Sequence, residues 1–205
     1  MKFDWLNIAK RLEAIAQTGF TYSKDDYDRE RYQEIRDIGH RIFNHYTGAP
    51  VEKIQNLFSG ENGYPTPKVD IRGVIFEKDQ ILLVKEKTDG LWALPGGWAD
   101  VGYTPSEVVV KEVKEEAGVD VKPVKLVAVF DKKCHAHPPS ALYVYKMFIL
   151  CNIIAGNPEP GMETLEVAFF SKDELPDLSV ERKTLEQIHL LFDHIQIPNV
   201  PTRFD

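Results

Sequence analysis

The sequence predicts an α+β fold in which a small all-helical N-terminal domain precedes a larger domain built around a mixed β-sheet. Apolar residues in roughly the first sixty positions recur at helical spacing. After the Gly- and Pro-rich stretch from Gly60 to Pro67, the pattern changes to strand-like runs that pair as hairpins. Such hairpins, with helices between and after them, favour α+β over a doubly wound parallel sheet. We therefore predict domains at residues 1–65 and 66–205.

Three helices are predicted in the N-terminal domain. The first ends near Gly19, the second runs from about Asp25 to Tyr46, and a short third helix covers Val51 to Phe58. A segment of about 65 residues buries little core alone, so it needs a further surface to pack on. We expect a homodimer formed through this domain, with a contribution to the substrate pocket. The alternative is that it covers the sheet of its own chain.

The second domain contains strand-like runs separated by turn signals. "KVDIRGVIFEKDQILLVKEK" predicts two strands that turn at Lys78, Asp79 and Gln80. Longer strands are predicted in "VKLVAVFDKKC" and "SALYVYKMFILCNII", and a short one in "EVAFFS". A final helix is predicted to begin near Val180, since apolar residues recur at helical spacing beyond it.

Composition narrows the class of protein. The chain has 205 residues, 43% of them hydrophobic, with a net charge of −7 and no lysine-arginine block, which makes RNA a less favoured partner without excluding it. There is no signal-peptide pattern and no apolar run of about 18 residues, so no membrane span is predicted. The two cysteines, Cys134 and Cys151, suggest reduced thiols in a cytoplasmic protein. His135 and His137 beside Cys134 match no common zinc spacing.

A helix rich in glutamate is predicted from Pro105 to Ala117. Thr104 and Glu107 have the spacing of a capping box, and Gly118 suits the left-handed position that ends a helix. At about 100° per residue, Glu112 and Glu116 lie side by side at the margin of the apolar stripe.

The like charges of Glu112 and Glu116, one helical turn apart, repel each other, and a bound divalent cation would offset this repulsion. Carboxylate oxygens suit Mg²⁺, with Mn²⁺ as a possible substitute. The alternative interpretation is an ordinary solvated acidic face, because glutamate is a good helix former.

The segment from Gly97 to Val119 resembles the Nudix box, with "KEVKEEAGV" as its second half. The flanking "LWALPGG" and "EVAFFSKDELP" extend the resemblance from about Lys68 to His194. It implies a Nudix α/β/α sandwich with a mixed sheet. Two positions depart from the family pattern, since Tyr103 replaces its first glutamate and Lys111 replaces its arginine. The family uses that pair to buttress the loop and helix, so here a hydrogen bond replaces the ion pair or the buttress is broken.

The resemblance also implies a reaction, the hydrolysis of a nucleoside diphosphate linked to another moiety. It implies that Glu112, Glu116, Glu115 and the Gly96 carbonyl hold Mg²⁺, and that all three glutamates serve catalysis. Glu163, in the loop "GNPEPGMETLE", is the candidate general base. The alternative is that Glu163 is an ordinary polar loop residue.

The helical N-terminal segment and the altered box together resemble the CDP-choline pyrophosphatase subgroup. This favours CDP-choline as substrate, with CMP and phosphocholine as products. ADP-ribose, cleaved to AMP and ribose 5-phosphate, is the alternative, and a nucleotide-sensing module without catalysis is an alternative of another class. Five candidate substrate contacts follow: Arg72 and Lys85 for phosphate, Gly97 for close backbone approach, and Trp98 and Tyr103 for choline. Arg72 and Lys85 could equally be solvated charges.

Overall fold

The structure, a computed structural model, describes residues 4–61, 63–196 and 200–205, which form two compact units. The first unit extends to Pro67 and includes 139–143, while the second comprises Lys68–Pro138 and Val144–Asp205. The helices are α1 Trp5–Tyr22, α2 Asp26–Thr47, α3 Val51–Phe58, α4 Pro105–Ala117 and α5 Leu185–Gln196. The strands are β1 Lys68–Glu77, β2 Gln80–Glu86, β3 Trp92–Ala93, β4 Gly96–Trp98, β5 Asp120–Asp131, β6 Val144–Ala155, β7 Thr164–Phe170 and β8 Arg203–Phe204. None of the described helices combines the length and apolar character that a membrane crossing requires.

The helices of the first unit have local start and stop signals. The Asp25 side chain accepts a hydrogen bond from the Asp28 N–H at the start of α2, and Gly48 ends that helix at φ 67°. Helix α1 continues to Tyr22, past the end predicted near Gly19. The reason is packing: a Cβ on Gly19 would lie 2.3 Å from the Tyr32 ring, so this glycine gives α2 room rather than ending α1.

The second unit is built on a mixed sheet with the order β3-β2-β1-β6-β5-β8, in which β4 also pairs with β1 and β7 with β2. Strand β1 is parallel to β6, whereas β1–β2, β2–β7 and β5–β6 are antiparallel. The hairpin between β1 and β2 turns at Lys78 and Asp79, which have φ values of 48° and 64°. The observed architecture confirms the predicted mixed sheet and α+β class.

Alternate residues of β1 and β2 point to opposite faces of the sheet, and a helix packs on each face. Ile71 and Val84 pack with Val109 and Val113 of α4. On the other face, strand residues Val74, Ile81 and Leu83 pack in a second buried cluster, together with Ile188, Leu191 and Phe192 of α5. This is the helix–sheet–helix layering that the resemblance implied.

Helix α5 begins at Leu185, so the predicted start near Val180 was wrong. The Thr184 N–H donates to Gln187 Oε1 at 3.0 Å, and the Gln187 N–H donates to Thr184 Oγ1 at 3.2 Å. This reciprocal pair is a capping box that sets the start of the helix. The apolar spacing located the helix, but the cap decided its first residue.

Candidate active site

Helix α4 carries the acidic side chains, and its bounds confirm the predicted ones. The Thr104 N–H donates to Glu107 Oε2 at 2.8 Å, while the Glu107 N–H donates to Thr104 Oγ1 at 3.3 Å. Gly118 ends the helix in the left-handed region at φ 74°. Caps at both ends fix the bounds of α4, and the packing of Val109 and Val113 on the sheet fixes which side of the helix carries each glutamate.

The three glutamates in the second half of α4 differ in exposure. Glu116 is buried, at 6% exposed, and its Oε2 accepts a hydrogen bond of 2.8 Å from the Gly96 N–H. The side chain of Glu112 is 17% exposed and that of Glu115 is 58% exposed. Burial raises the pKa of Glu112, and it raises the pKa of Glu116 to about 7 although Arg72 and the Gly96 N–H act in the opposite direction. The helix therefore holds two carboxylates that are costly to ionise without a counter-charge.

The Gly-Gly turn at Gly96 and Gly97 fits closely around these carboxylates. Gly96 has φ 140°, and a Cβ there would lie 2.1 Å from the Ile71 carbonyl oxygen. A Cβ on Gly97 would lie 2.7 Å from Glu112 Oε2. Both positions need glycine, the first for the backbone of β4 and the second for the Glu112 carboxylate.

The substitution Gly97→Ala should weaken divalent-cation binding more than it weakens the fold. Its new methyl group meets the end of the Glu112 side chain, which can move aside, but only by shifting the carboxylate. We expect a loss in cation affinity of about 10- to 100-fold. Titration of Mn²⁺ into the purified variant measures this, with the thermal midpoint recorded in parallel. An unchanged affinity would show that the Glu112 carboxylate does not bind the cation.

A cavity of about 690 Å³ adjoins the turn and the helix. It brings together eight of the residues predicted from sequence: Arg72, Gly96, Gly97, Trp98, Glu112, Glu115, Glu116 and Glu163. Two predicted contacts lie outside its lining. Lys85 forms an exposed ion pair with Glu166 at 2.7 Å, and Tyr103 is 51% exposed. Their roles as substrate contacts stay predictions that the cavity does not support.

The buttress at the altered box positions involves Asp100, which the sequence analysis did not identify. Lys111 Nζ lies 3.5 Å from Asp100, 3.6 Å from Glu112 and 3.8 Å from Glu115. It also lies 5.9 Å from the centre of the Tyr103 ring. Lys111 thus keeps a carboxylate partner in the loop before α4, and Tyr103 contributes a ring rather than a charge.

The loop that carries Glu163 packs against the end of α4. Thr164 Oγ1 donates to the Glu116 carbonyl at 2.8 Å, and a Cβ on Gly161 would lie 1.6 Å from the Glu115 carbonyl oxygen. Lys87, the first residue after β2, holds the loop, because its N–H donates to the Glu163 carbonyl at 3.1 Å and its Nζ donates to the Met162 carbonyl. Glu163 is therefore exposed at the cavity on a backbone that is fixed on both sides.

Arg72 is more constrained than a phosphate contact on the surface would be. Its Nε donates to Asp70 Oδ1 at 2.9 Å and its Nη1 to the Leu94 carbonyl at 3.1 Å. Burial alone would raise the pKa of Asp70, but Arg72 and Lys146 together outweigh it and hold that pKa below its ordinary value. Arg72 lines the cavity from within this buried pair, and a direct phosphate contact stays a prediction.

Sequence reasoning missed Glu86 and Arg182, which also line the cavity. They lie 96 positions apart in the chain, yet Arg182 Nε is 2.9 Å from Glu86 Oε1. Glu86 ends strand β2, while Arg182 lies in the turn before α5. The sequence offered one indication that Glu86 belongs to a site, which is that a charged residue ends a strand predicted to be buried.

The donor set fits a hard divalent cation. Glu112, Glu115 and Glu116 offer carboxylate oxygens to one cavity, which is the chemistry that Mg²⁺ and Mn²⁺ favour. Among the described residues, no three His, Cys, Asp or Glu side chains are gathered closely enough to hold a metal alone. Mg²⁺ completes its shell with water and substrate oxygens, so the three glutamates do not all have to contact the ion directly.

Cation affinity should fall as the pH decreases below about 7. The pKa of Glu116 is raised from 4.5 to about 7, so in the folded metal-free chain a proton occupies this carboxyl between those values. That proton stabilises the metal-free fold at low pH, its contribution is lost as the pH rises through 7, and a cation must displace it. We expect Mg²⁺ to raise the thermal midpoint more at pH 8 than at pH 6. A shift that is equal at both values, or one that persists unchanged in Glu116→Gln, would contradict this assignment.

Comparisons with known proteins match both units. Residues 66–191 match the family model described as "NUDIX domain", and residues 3–58 match "UDP-X-like, N-terminal oligomerisation domain". The chain is 49% identical over 201 residues to a Bacillus subtilis (strain 168) protein named "Putative ADP-ribose pyrophosphatase YjhB", covering 98% of this chain and 97% of that one.

Two solved structures extend these similarities. A crystal structure of an ADP-ribose pyrophosphatase from Streptococcus suis 89-1591 is 47% identical with a TM-score of 0.63, covering 68% of this chain and 100% of that one. A crystal structure of UDP-X diphosphatase is 34% identical with a TM-score of 0.65, covering 98% of both chains. The glutamate helix, the Gly-Gly turn and these matches agree, and the chain belongs to the Nudix hydrolase family.

Proposed function

We propose that this Nudix pyrophosphohydrolase cleaves ADP-ribose to AMP and ribose 5-phosphate. The observation that carries the proposal is the cavity in which Glu112, Glu116 and Glu163 meet beside the Gly-Gly turn. Two of the similar proteins reported above are named as ADP-ribose pyrophosphatases, and one of them aligns over nearly the whole chain.

The cavity residues have different roles in hydrolysis. Glu112 and Glu116, with Glu115 and the Gly96 carbonyl, would hold Mg²⁺ or Mn²⁺, which when bound neutralises phosphate oxygens and lowers the pKa of water. The Gly96 N–H keeps the Glu116 carboxylate oriented. Glu163 accepts a proton from the attacking water, whose oxygen forms the new bond to phosphorus as the bridging P–O bond breaks. The electron pair of that bond leaves with the departing phosphate group.

A UDP-linked substrate is the second candidate, because the helical unit matches a UDP-X-like model and the UDP-X diphosphatase structure aligns over 98% of the chain.

The cavity supports CDP-choline, the substrate favoured by the sequence, less well than it supports ADP-ribose. Recognition of a quaternary ammonium calls for aromatic faces. Among the described residues that line the cavity, Trp98 is the one aromatic side chain.

The substrate is tested by incubating the protein with Mg²⁺ and each of ADP-ribose, UDP-glucose, CDP-choline and a short capped RNA. The proposal predicts the highest kcat/KM for ADP-ribose, with AMP and ribose 5-phosphate as the products. A higher kcat/KM for UDP-glucose or CDP-choline would contradict ADP-ribose as the preferred substrate. Nucleotide binding without turnover of any of the four would contradict catalysis.

We also propose that the chain forms a homodimer through its helical unit, which matches an oligomerisation-domain model. One chain has a mass of 23.4 kDa. Light scattering of the full-length protein should give twice this mass. The mass of a single chain at micromolar concentration would contradict the dimer.

A further inference from the structure

Glu86 and Arg182 form a charged wall of the cavity that the proposed mechanism does not use. Glu86 is 4% exposed, and its backbone is fixed in a turn, where its N–H donates to the Leu91 carbonyl at 2.9 Å and its carbonyl accepts from the Gly90 N–H at 3.0 Å. The ion pair with Arg182 runs through Glu86 Oε1, which lies 2.9 Å from Arg182 Nε. An ionised carboxylate has about four acceptor sites, so a nearly buried carboxylate that lines a cavity can accept hydrogen bonds from a ligand as well as pair with an arginine.

Arg182 is held rigidly beside this carboxylate. Besides Glu86, it contacts Asp89 Oδ2 at 3.2 Å, Ser179 Oγ at 3.2 Å and Thr88 Oγ1 at 3.0 Å. Four partners leave its guanidinium little freedom, so the wall is preorganised before any ligand arrives. Arg182 also offsets the charge of Glu86, which makes the wall a hydrogen-bonding surface rather than a second anionic site.

The chemistry of the wall excludes some parts of a substrate. The diphosphate belongs at the α4 side of the cavity, where the predicted cation would neutralise it, because the Arg182 guanidinium is already paired with Glu86 and Asp89. Hydroxyl groups donate to carboxylates, and adjacent hydroxyls on a sugar can donate to both oxygens of one. Dinucleotide-binding folds use an acidic side chain for ribose in this way. A quaternary ammonium has no such donor.

We infer that Glu86 and Arg182 form a sugar subsite, in which Glu86 accepts hydrogen bonds from adjacent hydroxyls of the ribose that lies beyond the diphosphate, on the side away from the nucleoside. This inference deepens the proposed function and rests on the substrate occupying the same cavity. CDP-choline carries choline in place of this second ribose, so the subsite selects ADP-ribose over CDP-choline.

The test compares ribose 5-phosphate with 2-deoxyribose 5-phosphate, which lacks both pairs of adjacent hydroxyls. Binding of each is measured by NMR titration without added metal in the full-length wild type, Glu86→Gln and Glu166→Gln. Glu166 is the matched control because it is a glutamate on neighbouring strand β7 that pairs with Lys85 outside the cavity lining. The wild type and Glu166→Gln should prefer ribose 5-phosphate by about tenfold, and Glu86→Gln should lose this preference.

Kinetics supply a second readout. Glu86→Gln should raise the KM for ADP-ribose by about tenfold or more with a smaller change in kcat, and leave the KM for CDP-choline nearly unchanged. Equal binding of the two sugar phosphates by the wild type, or a preference retained in Glu86→Gln, would overturn the subsite. A loss confined to CDP-choline would overturn it too, because Glu86 would then serve an ammonium group. Failure of the proposed function is distinct, since the wild type would then bind ribose 5-phosphate selectively but not hydrolyse ADP-ribose.

Discussion

Glutamine in place of Glu112 or Glu116 should lower kcat/KM for ADP-ribose by at least about 100-fold without unfolding the second unit. Each substitution keeps the size of the side chain but removes a charged oxygen from the predicted cation site. The Gly96 N–H can still donate to the oxygen of a glutamine at position 116, so the turn keeps its hydrogen bond. Steady-state rates at several Mg²⁺ concentrations, with circular dichroism as the folding check, measure the effect.

The matched control for these variants is Glu107→Gln on the same helix. Glu107 faces solvent and serves the capping box, a role that glutamine also fulfils. Its activity should stay within about twofold of the wild type, because a capping position lies away from the reacting atoms. Equal losses in all three variants would mean that the helix, and not a cation site, is being disrupted.

The second large effect concerns Lys183, where methionine should stabilise the protein by about 1–3 kcal/mol. Lys183 is 1% exposed, and among the described residues its Nζ has no hydrogen-bond partner. Burial lowers the pKa of this amine well below 10.5, with Arg72 acting in the same direction. Methionine fills a similar volume without a group that must lose its hydration. Urea unfolding of the two proteins at pH 7 measures the difference.

The gain from Lys183→Met should shrink as the pH rises towards 10.5. The unfolded chain binds a proton at this lysine up to that pH, whereas the folded chain releases it at a lower pH. Unfolding is therefore favoured below the lowered pKa, and the penalty declines as the pH climbs from it to the ordinary value. The exposed Lys122 provides the control, since Lys122→Met should change stability little at either pH. A variant less stable than the wild type at pH 7 would show that the Lys183 amine has a favourable partner in the fold.

Local signals made part of this structure predictable. The bounds of α4 agree with the prediction because Thr104, Glu107 and Gly118 encode both ends within the helix itself. The hairpin turn at Lys78 and Asp79 is equally local. The predicted end of α1 and the predicted start of α5 were wrong. The end of α1 depends on the packing of Tyr32 over Gly19, and the start of α5 depends on a capping box that outweighed the apolar spacing.

In the candidate active site, too, the residues set by local sequence could be predicted and those brought together by the fold could not. Glu112 and Glu116 could be placed from sequence because one helix carries both. The Glu86–Arg182 pair could not, because the sheet and the turn before α5 bring together residues distant in the chain. The sequence considered Tyr103 as the partner of Lys111 and did not identify Asp100, because only the folded loop brings the Asp100 carboxylate within 3.5 Å of Lys111 Nζ.

The most direct measurement is the binding of Mn²⁺ to the protein without nucleotide, followed by electron paramagnetic resonance. The wild type should bind Mn²⁺ at the α4 carboxylates at pH 8, and Mg²⁺ should compete for the same site. The double variant Glu112→Gln/Glu116→Gln, folded by circular dichroism, should lose this binding. Mn²⁺ bound equally well by the double variant, or not bound by the wild type, would contradict a cation site on this helix.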